Sequence, residues 1–262
     1  KAVAYTMLGN ALREKNGLAA KWTPRQGPIA VELRKFFGMS PKFYRKSLVE
    51  MTKVVETQMC AKDWDNINFS HVPSLAAARY KKAFNRNTEA YKAYVAELMK
   101  DPKDRTVEVK VNAGAVYPYD VIKGLGGYGY TSSFDKTELD LIMKQWDALP
   151  NYVGDASILP LVDVSGSMTT RVGKNDSLTC LDVAVSLGLY LADKNRGVFK
   201  DTFLTFSESP ELLRLEGDIN QKIDQMVKSK WAMNTNLKKA FNKILQTAID
   251  GDVADADMPK TL

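Results

Sequence analysis

Asp163, Ser165 and Ser167 occupy alternate positions in Leu161-Val-Asp-Val-Ser-Gly-Ser-Met168. Alternate residues of an extended turn can aim three oxygen-bearing side chains at one point, and Gly166 is expected to let the backbone bend between the serines. Carboxylate and hydroxyl oxygens are hard ligands. They suit magnesium, manganese or calcium rather than zinc or copper. The D-x-S-x-S spacing alone is weakly specific, because ordinary residue usage yields it by chance in roughly one chain in fifteen of this length. The alternative reading of the same residues is as caps of a strand-to-helix turn.

Other chemistries find less support. His71 is the single histidine of the 262-residue chain, which disfavours a Ser-His-Asp triad and a His-based zinc site. Cys60 and Cys180 are the only cysteines and fall in what read as different domains, so reduced, buried thiols are expected rather than a disulfide framework. The run Gly124-Leu-Gly-Gly-Tyr-Gly129 lacks the Gly-Lys-Ser/Thr ending of a phosphate-binding loop and reads as a flexible loop. Nothing around Asp163 offers a second carboxylate or a histidine to activate water, so binding is expected rather than catalysis.

The elements that must position this set follow from the apolar pattern. Ser157 to Asp163 is a continuous apolar run of strand length, expected to form a central parallel strand buried on both faces. Asp163 would then lie at its carboxyl end, where ligands bind in open α/β sheets. A helix over Leu178 to Ala192 is expected next. Strands over Val198 to Phe206 and Glu211 to Leu215 follow, joined by the turn Ser207-Glu-Ser-Pro210, and then helices over Ile219 to Val227 and Leu237 to Ile249. This is the element order of a doubly wound α/β sheet.

Ahead of it the chain reads as helices punctuated by caps. Helices are expected over Ala2 to Lys15 and Pro28 to Phe37, closed by Gly17 and Gly38. Ser40-Pro41 opens one long helix whose buried stripe is Tyr44, Leu48, Met51, Val55 and Met59. Further helices start near Pro73 and after Thr88, a short strand covers Thr106 to Val111, and a helix spans Phe134 to Leu149. The expected division is a helical segment over 1–133 and an α/β part over 134–262.

Charge is unequal between the two. Lys1 to Pro150 holds 24 Lys and Arg against 16 Asp and Glu, whereas Asn151 to Leu262 holds 13 against 15. A polyanion would meet the first half. Lys42, Arg45 and Lys46 form one basic cluster and Arg79, Lys82 and Arg86 another, although either can be an ordinary solvated helix face. Trp22 is placed in a loop beside Lys21 and Arg25, where a base could stack on it, while Trp64, Trp146 and Trp231 read as packing residues. Lys1 opens no recognisable signal peptide and no apolar stretch approaches the roughly 20 residues that span a bilayer, so a cytoplasmic protein is expected.

Asp163, Ser165 and Ser167, together with Trp231-Ala-Met-Asn-Thr-Asn236, resemble the metal-ion-dependent adhesion site of von Willebrand A domains. The resemblance implies Ser165 and Ser167 as direct ligands of magnesium (or manganese or calcium), Thr235 as a ligand from a second loop, and Asp163 as a ligand through water. It also implies a third loop with another aspartate, expected after a further strand beyond Met258-Pro-Lys-Thr-Leu262, so the domain looks truncated. Cys60-Ala-Lys-Asp-Trp-Asp-Asn-Ile-Asn-Phe-Ser-His-Val-Pro-Ser74, Tyr80-Lys-Lys-Ala-Phe84 and Phe206-Ser-Glu-Ser-Pro210 resemble a family of plants, fungi and viruses. Its members join a helical, HEAT-like segment similar to that of the Ro (TROVE) proteins to a von Willebrand A, Rossmann-like domain. By that similarity the chain is expected to bind structured or single-stranded RNA through its basic helices, and a partner's acidic side chain through the metal. A purely protein-adhesive module is the competing expectation.

Overall fold

The computed structural model describes residues 1–52, 54–123, 125, 135–173, 178–229 and 236–262. It is a mixed α and β structure with a small three-stranded sheet. The chain forms two compact units, Lys1–Asn68 and Phe69–Leu262. Among the described residues no helix is long and apolar enough to cross a membrane.

The first unit is helical: α1 (Ala2–Arg13), α2 (Gly17–Trp22), α3 (Gly27–Phe36), α4 (Pro41–Met51) and α5 (Val55–Cys60). Asn16 and Ser40 cap α2 and α4 by accepting the Ala19 and Phe43 amides, which satisfies donors that a helix start leaves open. Leu12, Ala20, Ala30, Leu33, Tyr44 and Leu48 form its core. The single long helix expected from Tyr44 to Met59 is two helices. Thr52 leaves the helical conformation (ψ 89°), its hydroxyl donates to the Leu48 carbonyl and accepts from Arg25 Nη2 at 2.9 Å, and the last turn closes there. Trp22 is likewise not in a loop but ends α2.

The second unit opens with α6 (Ser74–Asn87), α7 (Glu89–Met99), α8 (Pro118–Ile122) and α9 (Lys136–Asp147). Thr88 caps α7 through the Ala90 amide and Asp135 caps α9 through the Glu138 amide. No strand forms over residues 106–111. The Glu97 carboxylate instead gathers the Thr106 amide and hydroxyl and the Val107 amide, and Asn112 Nδ2 donates to the Ser70 and Val72 carbonyls, which holds the segment as coil.

The sheet contains β1 (Leu161–Val162), β2 (Thr202–Thr205) and β3 (Leu212–Arg214) in that order, interleaved with α10 (Cys180–Lys194) and followed by α11 (Ile219–Val227) and α12 (Leu237–Asp250). β1 and β2 are parallel with Leu161 opposite Leu204, and β2 and β3 antiparallel with Phe203 opposite Leu213. β1 is much shorter than the seven-residue strand expected over Ser157 to Asp163. Pro160 lacks the N–H that would continue the ladder. Ahead of it, Leu159 donates to the Thr261 carbonyl, and Ile158 forms a parallel bridge with Thr261.

Successive residues of a strand point to opposite faces. Val162 and Phe203 pack with Val185 and Leu189 of α10 and Ile223 and Met226 of α11. Leu204 and Leu161 face the other way, onto Ala240 and Ile244 of α12. Helices therefore cover both faces of the sheet. Capping boxes at Thr179/Asp182 and Asp218/Gln221 fix the starts of α10 and α11, and Asn236 caps α12 through the Lys239 amide.

Candidate metal centre

β1 delivers Asp163 to the carboxyl edge of the sheet. Phe206, just past β2, donates its amide to the Val162 carbonyl at 3.1 Å, so the parallel pairing persists up to the residue before Asp163. The chain then turns. Asp163 Oδ1 accepts the Ser165 amide at 2.8 Å, an Asx-type contact that folds the serine back over the strand end. A 3-10 turn over Gly166–Thr169 follows, in which the Met168 amide donates to the Ser165 carbonyl at 3.0 Å. Gly166 itself contributes less than its type implies. Its φ is not positive and an added Cβ would meet nothing within 4 Å, so this bend does not require glycine.

The consequence is that Ser165 Oγ and Ser167 Oγ lie 2.9 Å apart, Ser165 half-buried and Ser167 exposed. An octahedral ion with oxygen ligands at about 2.0–2.1 Å has neighbouring oxygens about 2.9 Å apart, so this pair fits one edge of a magnesium shell. Asp163 is half-buried beside them, with Oδ1 accepting the Ser165 amide. The donor set is entirely oxygen, as a hard dication requires.

Thr235 and Trp231 lie outside the described residues. Next to Thr235 in sequence, Asn236 donates its amide to the Ser207 carbonyl at 3.2 Å. Ser207 follows Phe206, so the start of α12 is tied to the same edge that carries Asp163. Glu208 reinforces the tie by accepting from Lys239 Nζ at 3.1 Å and Asn236 Nδ2 at 3.4 Å, bonds that hold its carboxyl below the usual range. No role was expected for Glu208, because its partners arrive from 28 and 31 residues away. Its only sequence signal is its place in Phe206-Ser-Glu-Ser-Pro210.

The residues expected to meet a polyanion are distributed between the two units. Lys21, Trp22, Arg25, Lys42, Arg45 and Lys46 are exposed in the first, and Arg79, Lys82 and Arg86 are exposed on α6 in the second. Trp22 is 74% exposed, with Lys21 Nζ 5.9 Å from its ring centroid. The first unit alone carries 12 Lys and Arg against 6 Asp and Glu, an excess equal to the +6 of the whole chain. Lys81 departs from its exposed neighbours: it is buried, and burial pushes its amine down to about 8 against the opposing pull of Glu138.

Residues 157–262 match the model of a domain of unknown function, DUF7788, and residues 30–159 match that of another, DUF2828. The two matches meet just ahead of β1. An uncharacterised protein of Acanthamoeba polyphaga mimivirus is 30% identical over 275 residues, covering 94% of this chain and 44% of the relative. The chain thus spans less than half the length of that viral relative. No solved structure matches it.

Proposed function

We propose that the chain is a metal-dependent binding protein that also engages RNA through its basic helical surfaces. The observation that carries the metal reading is the 2.9 Å approach of the Ser165 and Ser167 hydroxyls just past the end of β1, with the Asp163 carboxylate beside them. In this reading Ser165, Ser167 and Thr235 hold magnesium, or manganese or calcium, and Asp163 orients a water on it. When bound, the cation supplies an electrophilic position for a partner's Asp or Glu. The chain's own ligands carry too little negative charge to neutralise a dication, which favours such an acidic partner. Asn236 ties the start of α12 to Ser207, on the sheet edge that carries Asp163.

Further support comes from the arrangement of the sheet. A parallel β1–β2 pair, an antiparallel β3 at the edge and helices on both faces are compatible with a von Willebrand A, doubly wound architecture. The RNA part rests on charge: the excess of six basic residues in Lys1–Asn68, with an exposed tryptophan among them, is what a phosphate backbone and an unstacked base require. Pull-down from cells with and without chelator, identifying both RNA and protein, tests both halves. Capture of protein that is lost with chelator, and of RNA that is lost with salt, is the expected result. Protein capture indifferent to chelator rejects the metal reading, and absence of RNA leaves a protein-adhesion module.

A further inference from the structure

In the Lys1–Asn68 unit α1, α3 and α4 enclose an open cavity of about 830 Å³, within the size range of small-molecule sites. Its walls are aromatic, with Tyr5, Phe36, Phe37, Phe43 and Tyr44 all lining it. Phe43 is 58% exposed and Phe36 48%, so two large rings stand at the rim rather than in the core. Tyr5 and Phe36 meet edge to face at 5.5 Å, as do Phe36 and Phe37 at 5.6 Å, which props the rings across the opening. Gly9 makes room at the back. An added Cβ there would sit 3.0 Å from Phe37 Cε1, so the bare helix backbone lets that ring lie against α1.

A purely apolar ligand would leave the rest of the lining without a purpose. Arg13 and Lys15 border the cavity, and Thr6, Ser47 and Glu50 add donors and acceptors. Lys46 stands three residues after Phe43 and four before Glu50 on α4, hence beside both on the helix surface. Flat aromatic walls, a few hydrogen-bonding groups and a cationic rim are the combination that receives an unstacked base with its phosphates.

We propose that this cavity takes an unpaired nucleobase of single-stranded RNA: Phe36 and Phe43 stack on it while Arg13, Lys15 and Lys46 hold the neighbouring phosphates. The proposal rests on the RNA reading above. It assigns that reading a site and a substrate class, an exposed single strand rather than a duplex.

Fluorescence anisotropy of the full chain with labelled oligouridylate and oligoadenylate, and with a blunt RNA duplex, tests it at several salt concentrations. Phe43→Ala removes an exposed stacking ring and Ser47→Trp fills the space, so the two variants act oppositely on the volume while leaving every charge in place. Both are expected to weaken single-strand binding at least about fivefold, as loss of one base stack does. The slope of affinity against salt and the binding of duplex should not change, because phosphate contacts set that slope. Single-strand affinities equal to the parent's would overturn the cavity assignment and leave the RNA reading standing. An equal loss on duplex would also overturn it, by attributing the effect to general phosphate binding. If the parent chain binds no RNA at low salt, both the assignment and the reading beneath it fall.

Discussion

Gly188 of α10 lies so close to β1 that a β-carbon added to it would meet Val162 Cγ2 at 2.5 Å. Asp163 is the next residue, so this close approach sets the depth at which α10 supports the strand end and the turn that carries both serines. Gly188→Ala is expected to destabilise the protein by about 1–3 kcal/mol, the usual cost of overpacking a well-filled core. Urea denaturation reads it. An unchanged midpoint would show that α10 can retreat freely from β1.

Acid should loosen the segment after α7. Lys100 and the Thr106 and Val107 groups hold the Glu97 carboxyl down to about 2. A depressed carboxylate contributes stability that is present above its ordinary value near 4.5 and is lost as pH falls through about 2. Thermal melts from pH 5 to pH 2 should therefore fall more steeply for the parent than for Glu97→Gln, and amide exchange at Thr106 and Val107 should already be fast in the variant at neutral pH. Equal slopes would remove Glu97 from the account.

Lys81 should act in the opposite range. Its amine is pushed down to about 8 by burial, so between about 8 and the ordinary 10.5 the unfolded chain binds the proton that the folded chain has lost. Stability then rises with pH across that window. Chemical denaturation at pH 8 and pH 10 should show this gain in the parent and a smaller one in Lys81→Met.

Phosphate contacts and base stacking can be separated by salt. Replacing Arg79, Lys82 and Arg86 together with Ala is expected to weaken binding to every RNA and to flatten the salt dependence. If six phosphates are neutralised in the parent, affinity falls on the order of a thousandfold between 50 and 200 mM salt. Trp22→Ala should instead cost about 1–3 kcal/mol on single strands with the slope intact. Filter binding at four salt concentrations distinguishes the two patterns, and a triple variant with an unaltered slope would make that face of α6 an ordinary solvated surface.

Much of the fold was legible in local signals. Ser40 and Thr88 marked helix starts because their side chains satisfy the first amides, and α11 has the bounds its periodicity gave. The errors have a common origin in groups that periodicity ignores. Thr52 closes α4 with its own hydroxyl, Pro160 interrupts the apolar run before β1, and Glu97 captures a stretch that otherwise reads as a strand. At the site, alternate spacing made the approach of Ser165 and Ser167 legible. Gly166 was overvalued, and Glu208 was invisible because its partners are brought in by the tertiary fold.

Isothermal titration of the full chain with magnesium and with manganese, for the parent, Asp163→Ala and Ser167→Ala, tests the metal reading most directly. Asp163 and Ser167 are not buried in the core, so both variants should fold, as matched thermal melts can check. Saturable binding of one ion per chain by the parent, abolished in Asp163→Ala and weakened at least tenfold in Ser167→Ala, is the predicted result. Absence of binding by the parent, or binding that both variants retain at full strength, would contradict it.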